Sequence, residues 1–205
     1  MILPKLKKLN KSILFLTLSD VFVWGIYSVT VPLEGIYLSL KFGEKSIEYV
    51  TLGLCIYFII RAILPIPIGR FVDKTKKDLD EIFSLGFGST LIGLSFIIFP
   101  FITSPIQYFF LTALAGTGTA FNLIGWRKLF AKNLDPGREG MEYASYETLM
   151  SLCTAVICLL GGTFSNVNHD LFRVFFFIVG SVTMIGGILM AVSILKTKRK
   201  SADAL

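Results

Sequence analysis

The chain has 205 residues, of which 54% are hydrophobic and 17% are charged. Soluble domains carry roughly 45–50% apolar and about 25% charged residues, so this composition excludes an ordinary soluble domain and indicates an integral membrane protein. The net charge of +6 does not indicate nucleic-acid binding, because the basic residues lie in short clusters between long uncharged stretches.

Six apolar stretches are each long enough to cross a bilayer core about 30 Å thick as a helix. In chain order they cover residues 12–33, 47–69, 81–101, 105–126, 144–165 and 171–195. Because these stretches nearly exhaust the chain, we expect a single all-α transmembrane domain over residues 1–205.

The first span carries a polar stripe on an otherwise apolar helix. Its members, which follow helical spacing, are Thr17, Asp20, Trp24 and Tyr27. A carboxylate inside a bilayer usually faces a cavity, pairs with a cation, or does both. Asp20 is therefore a candidate for proton or cation uptake. Glu34 and Glu48 fall near the opposite membrane interface, where we expect them to be solvated.

The second span contains Tyr57 and Arg61 at i, i+4, so both lie on one face of the helix. Arg61 and Asp20 each lie roughly 12 Å from the cytoplasmic end of their span at 1.5 Å per residue. Equal depth on adjacent antiparallel helices predicts a direct ion pair. Two roles stay open for it: lining a substrate cavity, with Arg61 binding anionic groups, or holding the two helices together.

The loop after the second span reads Gly69-Arg70-Phe-Val-Asp73-Lys74-Thr-Lys76-Lys77. It resembles the signature of the major facilitator superfamily between the second and third helices: Gly, three residues, Asp, a basic residue, one residue, then further basic residues. Lys76 stands where that family usually has Gly, which affects the tightness of the turn. A charged cytoplasmic loop without this function is the alternative.

The fourth span contains Gly116-Thr-Gly118-Thr-Ala120 and places Asn122 on a polar face. This run and the loop Gly137-Arg138-Glu139-Gly140 are similar to the glycine-rich fourth helix and the following loop of the same family. Glu147 lies about one turn into the fifth span, where the helix dipole favours an acid. A role in the cytoplasmic gate is the alternative for Glu147.

The third and sixth spans are rich in Phe, Ile and Leu, and we expect them to face lipid. Aromatic residues near the span ends are expected in interfacial belts; they are Trp126, Tyr108 and Tyr143. The polar stripes therefore belong to the first, second, fourth and fifth spans.

Basic residues predict the orientation of the spans. Sixteen of the twenty Lys and Arg side chains fall in the amino terminus, the second and fourth loops and the tail. Because cytoplasmic loops are enriched in Lys and Arg, both termini are expected in the cytoplasm. Half-length members of the family are known from bacteria, so the resemblance implies a multi-pass protein of the bacterial cytoplasmic (inner) membrane.

The resemblance covers the whole chain but only half of a usual transporter of this family, which has two six-helix halves. It implies secondary transport of a small molecule by rocking of two halves around a central site. A single copy would turn its polar stripes toward lipid, so a homodimer is expected, with another half-length transporter as the alternative partner. In this dimer Asp73 is predicted to cap the fifth helix of the other copy, with Arg70, Lys74 and Arg138 around it.

The sequence offers no Ser–His or Cys–His pair, no metal-ligand cluster and no phosphate-binding glycine loop, which disfavours an enzyme. We expect no catalytic residues, cofactor, metal or nucleic-acid partner. Transport is expected to be open to coupling with protons or sodium.

The expected substrate and coupling cavity comprises Asp20, Arg61, Trp24, Tyr27, Tyr57 and Asn122. The expected cytoplasmic gate comprises Gly69, Arg70, Asp73, Lys74, Lys76, Lys77, Arg138 and Glu147. Two alternatives stay open: a non-transporting scaffold or assembly partner, and a passive channel- or flippase-like pathway.

Overall fold

The computed structural model describes residues 11–74, 78–165 and 169–202, and helices make up nearly all of this part of the chain. In chain order they are α1 (Lys11–Asp20), a π-helix (Val21–Gly25), α2 (Ile26–Phe42), a 3-10 turn (Gly43–Lys45), α3 (Ser46–Ile63), α4 (Pro65–Val72), α5 (Leu79–Ile98), a second 3-10 turn (Phe99–Phe101), α6 (Pro105–Asn133), α7 (Glu139–Ser165) and α8 (His169–Ala202). Five helical runs among the described residues are long and apolar enough to cross a membrane. The prediction of an all-α membrane protein is confirmed at this level.

The first of these runs, Lys11–Val72, is 62 residues long. A straight α-helix of that length extends about 93 Å, roughly three times the thickness of a bilayer core. Gly43 interrupts the run with a φ of 63°, in the left-handed region that favours glycine. Because α2 and α3 pack against each other on either side of this turn, the chain reverses direction at Gly43.

Several helices continue beyond the apolar stretches that predict them. α2 runs to Phe42 rather than ending at residue 33, and α6 runs to Asn133 rather than 126. Helix ends follow local backbone signals that hydropathy does not read, such as Gly43 after α2. Glu34 and the basic residues that follow Trp126 therefore lie inside helices rather than in loops.

The helix α5 is the most enclosed of the membrane-length runs and packs between α6 and α8. Glycines permit this close packing, since a Cβ on Gly118 would lie 2.8 Å from the carbonyl oxygen of Gly88. Ser84 Oγ donates a 2.8 Å hydrogen bond to the carbonyl oxygen of Phe121, which ties α5 to α6. The prediction that the third span faces lipid holds only for the exposed face of α5, which is apolar and includes Phe83, Phe87, Leu94 and Ile98. More than half of the span is buried against its neighbours.

The helix α7 is the least enclosed of the five runs. Leu152 and Leu159 on α7 are 63% and 71% exposed. On α3, Ile63 is 62% exposed and Phe58 is 56% exposed. A single copy of the chain therefore leaves broad apolar faces of α3 and α7 uncovered.

Candidate functional site

Asp20 ends α1 where the π-helix begins, and its side chain is buried. Its Oδ2 accepts a 2.6 Å hydrogen bond from the hydroxyl of Tyr146 on α7. Tyr146 packs on Trp126 of α6, with ring centroids 4.9 Å apart. Trp126 Nε1 in turn donates to the carbonyl oxygen of Leu16 on α1 at 3.0 Å. Three helices, α1, α6 and α7, therefore meet around the carboxylate of Asp20.

Several buried polar atoms of α1, the π-helix and α7 have no hydrogen-bond partner within the described part of the chain. They are Ser19 Oγ, Asp20 Oδ1, Trp24 Nε1 and Thr154 Oγ1. Thr154 lies beside the π-helix, since a Cβ on Gly25 would stand 3.3 Å from the threonine oxygen. Buried polar atoms are normally satisfied, and π-helical segments occur often at functional sites. This arrangement is chemically suited to take up a proton or a small cation at Asp20.

The predicted ion pair between Asp20 and Arg61 is wrong, because the salt bridges of the described residues do not join these two side chains. Asp20 turns toward α7, where Tyr146 holds it. The guanidinium carbon of Arg61 lies 5.9 Å from the ring centroid of Trp24 and 6.0 Å from that of Tyr57. Aromatic faces attract a cation electrostatically, so they stabilise Arg61 in place of a carboxylate.

The polar stripe of the first span is more sheltered than predicted. Thr17 is 1% exposed and Asp20 is 3% exposed within a single copy. The prediction that one copy turns this stripe toward lipid is therefore wrong for these two residues, because α7 and α8 both pack on α1. Trp24 and Tyr27, farther along the stripe, are partly buried.

Tyr27 and Tyr57 line a small cleft between α2, α3, α5 and α6, as members of the predicted cavity. Their rings stack with centroids 6.2 Å apart. The hydroxyl of Tyr57 donates to Thr119 Oγ1 at 3.2 Å, which fixes the Tyr57 ring between α3 and α6. Asp20 and Asn122 do not line this cleft.

Glu34 and Tyr108 line the same cleft, which sequence reasoning missed. Glu34 is partly buried, so its predicted solvated position is wrong; α2 continues past it into the bundle. Tyr108 is 3% exposed rather than in an interfacial belt. Gly53 makes room for it, since a Cβ there would lie 2.5 Å from the Tyr108 ring. Gly53 was therefore a signal in the sequence for a large neighbour at this point of α3. It could be read only with the knowledge that α3 packs on α6.

The other two predicted belt residues differ from each other. Trp126 is 6% exposed, and its predicted belt position is wrong because its indole donates to α1. Tyr143 is 46% exposed near the amino end of α7. Its interfacial position therefore stays a prediction.

Asn122 is fully buried between α6 and α5. Its Nδ2 donates to Ser89 Oγ at 3.0 Å and lies 3.4 Å from the carbonyl oxygen of Leu85. These contacts support helix packing, and the amide Oδ1 is buried without a partner within the described residues. Contact of Asn122 with a substrate stays a prediction.

Asp73, in the loop that resembles the family signature, contacts α6 of its own chain. Its Oδ1 accepts a 2.7 Å hydrogen bond from Lys128 Nζ. The same ammonium group donates to the carbonyl oxygen of Val72 at 2.8 Å, at the carboxyl end of α4. The Asp73 side chain is 72% exposed, so the rest of its carboxylate is open to solvent or to another chain.

A buried carboxylate, Glu81, extends this charged cluster and was missed by the sequence analysis. Glu81 Oε1 lies 3.1 Å from Lys128 Nζ and 2.7 Å from Lys132 Nζ, while its side chain is 0% exposed. Lys132 also pairs with Asp78 at 2.8 Å. The signal was present in the sequence, since Lys128 and Lys132 share one helix face at i, i+4.

The remaining predicted gate residues are spread along this end of the molecule. Gly69 and Arg70 lie in α4, and Lys74 is exposed just after it. Lys76 and Lys77 lie outside the described residues. Arg138 is exposed and lies 4.0 Å from Asp135.

Glu147 does not occupy the amino terminus of its helix, because α7 begins at Glu139. Glu139 and Glu142 occupy the first turn instead. Their carboxylates accept backbone hydrogen bonds from Gly137 at 3.0 Å and from Asp135 at 2.9 Å. The helix-terminus role predicted for Glu147 is thus filled by these two residues, and Glu147 is exposed farther along α7.

Among the described residues, no three His, Cys, Asp or Glu side chains are grouped so as to hold a metal ion. The family model of the Major Facilitator Superfamily matches residues 13–204. No curated protein and no solved structure matches the chain. The family is one of multi-pass membrane transporters that are generally not enzymes, and the apolar helical runs of membrane length agree with it. The 205 residues of the chain are consistent with a half-length member. Because the match covers nearly the whole chain, the chain belongs to the major facilitator superfamily.

Proposed function

We propose that the chain is a secondary active transporter that moves a small solute by alternating access, as a homodimer in a bacterial cytoplasmic membrane. Family membership supports membrane transport in general. The observation that carries the finer proposal is the buried carboxylate of Asp20, with one oxygen unpaired within the described residues, directly before a π-helix. A carboxylate kept inside a membrane bundle without a basic partner is a candidate functional residue.

The proposed topology has six spans with both termini in the cytoplasm. The reversal of the chain at Gly43 supports it, since it divides the 62-residue run into two lengths that each suit a bilayer. The concentration of basic residues in the amino terminus, alternate loops and tail supports the orientation.

The proposed homodimer rests on the half length of the chain. Transporters of this family bind substrate between two six-helix halves, and the 205 residues are consistent with one such half. Two copies related by a twofold axis would supply both halves. A second half-length transporter is the alternative partner.

In the proposed coupling step, Asp20 takes up a proton or a sodium ion and the bundle changes its access from one side to the other. The hydroxyl of Tyr146 connects Asp20 to α7, one of the faces left open for the second copy. Binding of a proton or sodium ion at Asp20 would therefore change the contact with α7, at the surface where the two halves move.

At the cytoplasmic end, we propose that Asp73 exchanges contacts during this change. In one state it binds Lys128 of its own chain, as it does here. In the other state it caps the amino end of α7 of the second copy, with Arg70, Lys74 and Arg138 nearby. Because α7 begins at Glu139 rather than near Tyr143, crosslinking from position 73 to positions 139–142 of the other copy, found in one state of the cycle, is the expected result. Its absence in every state contradicts this step.

The test of the function is flux in proteoliposomes under an imposed proton or sodium gradient, using a panel of small organic ions, amino acids and sugars. We expect at least one solute to accumulate against its gradient, and Asp20→Asn to abolish accumulation while the protein still folds. Glu44→Gln, the same carboxylate-to-amide change at an exposed turn, should transport normally. Normal accumulation by Asp20→Asn removes the coupling role.

The same experiment separates the two alternatives. Passage that ignores the ion gradient would favour a channel- or flippase-like pathway. Folded dimers without flux of any compound would favour a membrane scaffold or assembly partner.

A further inference from the structure

The cleft that contains Glu34 has a chemistry that the coupling role of Asp20 does not use. It lies between α2, α3, α5 and α6, has a volume of about 50 Å³, and is lined largely by aromatic and aliphatic side chains. Space on this scale suits a head group of a few heavy atoms rather than a large solute.

Glu34 is the acidic group of this cleft. The ion pairs of the described residues do not include it, so no Lys or Arg of that part of the chain neutralises it. It lies nine residues before Gly43, roughly 14 Å along the helix from the turn that ends α2. A carboxylate at that depth is costly unless a cation or a proton accompanies it.

Three tyrosines line the cleft together with Glu34; they are Tyr27, Tyr57 and Tyr108. Tyr27 packs on Phe96 at a centroid distance of 6.2 Å, and Tyr108 packs on Phe99 at the same distance. The faces of such rings attract ammonium groups, most strongly where water is excluded.

Arg61 is the basic side chain that contacts one of these tyrosines. Arg61 contacts the ring of Tyr57 at 6.0 Å, and Tyr57 stacks on Tyr27. Arg61 does not line the cleft, whereas Glu34 does. The cleft therefore contains one carboxyl group and three tyrosine side chains, and no basic residue among those described lines it.

We infer that Glu34 and the three tyrosines form a binding site for the ammonium head group of an organic cation. The carboxylate supplies the counter-charge, and the rings of Tyr27, Tyr57 and Tyr108 surround the alkyl groups on nitrogen. Gly53 is part of the site's construction, because any side chain there would displace Tyr108. As a statement about the transported solute, this rests on the proposed function; as a statement about binding, it does not.

The test is equilibrium binding of choline to the purified full chain in nanodiscs, without any ion gradient. The matched neutral probe is 3,3-dimethylbutan-1-ol, which has the shape of choline but carbon in place of the charged nitrogen. We expect saturable binding of choline and at least about tenfold weaker binding of the alcohol. Equal binding of the two probes, or no saturable binding of choline, overturns the inference.

Variants identify the site. Glu34→Gln should weaken choline binding by about tenfold or more, whereas Glu48→Gln, at an exposed position on α3, should bind as the original chain does. Tyr27→Phe keeps the ring and should retain binding; Tyr27→Leu removes it and should weaken binding about two- to fivefold. Unchanged binding by a folded Glu34→Gln protein, or equal binding by both Tyr27 variants, contradicts the site.

Flux measurements keep this inference separate from the proposed function. Choline binding that depends on Glu34, without gradient-driven transport of any solute, retains the site and removes the transporter. Gradient-driven transport of another solute that Glu34→Gln leaves unchanged, together with no choline binding, retains the transporter and removes the site.

Discussion

At the scale of single residues, Asp20 and Glu81 show two ways of keeping a carboxylate inside a helical bundle. Glu81 is buried with two lysine partners. Asp20 is buried with a single hydroxyl donor and one unpaired oxygen within the described residues. The two ammonium groups neutralise the charge of Glu81, which suits a structural role, although its Oε2 is also unpaired within the described residues. The ion pairs of the described residues do not include Asp20, which leaves capacity for a proton or cation, and this is why we assign the coupling role to Asp20.

Tyr146→Phe should remove the hydrogen bond to Asp20 while keeping the ring packed on Trp126. Because a buried oxygen then loses its donor, we expect the free energy of unfolding to fall by about 1–3 kcal/mol. Tyr143→Phe, an exposed tyrosine on the same helix, is the control and should change stability little. Chemical denaturation in detergent measures both; equal stability of the two variants contradicts the assigned contact.

The cluster around Glu81 should respond cooperatively to loss of its lysines. Lys128→Met or Lys132→Met alone leaves Glu81 one partner, so each should cost about 1 kcal/mol. The double change leaves a buried carboxylate unpaired and should cost more than the sum, roughly 3 kcal/mol in total. A double-mutant cycle by denaturation measures the coupling. If the losses of stability from the two single changes simply add, the two lysines do not act together in stabilising Glu81.

At the scale of helices, the close packing of α5 on α6 depends on missing side chains. Gly118→Ala places a Cβ 2.8 Å from the backbone oxygen of Gly88, and since both partners are helix backbone, neither can yield easily. We expect a loss of about 1–3 kcal/mol in stability. Gly140→Ala, with no atom within 4 Å of the added carbon, serves as the control. A thermal-unfolding shift of similar size in both variants would contradict this packing.

The helices could be located from the sequence, whereas the cleft could not. Apolar stretches predict the existence of α5 to α8 because burial in lipid requires long uncharged runs, although α6, α7 and α8 extend two to seven residues beyond one or both predicted ends. The cleft depends on which helices are neighbours: Glu34 and Tyr108 meet only because α2, α3 and α6 pack together around Gly53. The spacing of residues along one helix does not show which helices pack together.

The same limit explains the errors over charges and aromatic residues. Equal depth predicted a pair between Asp20 and Arg61, but depth does not say which way a side chain turns about its helix. Trp126 lies near a predicted span end, yet α6 continues past it and the indole reaches α1. Amphipathic residues belong to an interfacial belt only if the helix ends there.

At the scale of the whole molecule, the proposed topology predicts opposite accessibility for the turn at Gly43 and the loop before α7. Lys45→Cys and Arg138→Cys, each in a background with Cys55, Cys153 and Cys158 replaced, place single thiols at exposed positions. A membrane-impermeant maleimide added to intact cells should label position 45, and position 138 should be labelled only after the membrane is opened. Labelling of both positions from outside contradicts six spans.

The assembly is the claim on which alternating access depends, because a pathway between halves needs two of them. The half length of the chain predicts that two copies associate in a membrane, since transporters of this family bind substrate between two six-helix halves. The most direct measurement is the mass of protein per nanodisc, prepared with far fewer chains than discs so that unrelated copies do not share a disc. We predict twice the 22.8 kDa of a single chain; a protein mass of one chain in nanodiscs whose lipid supports gradient-driven flux would contradict the account.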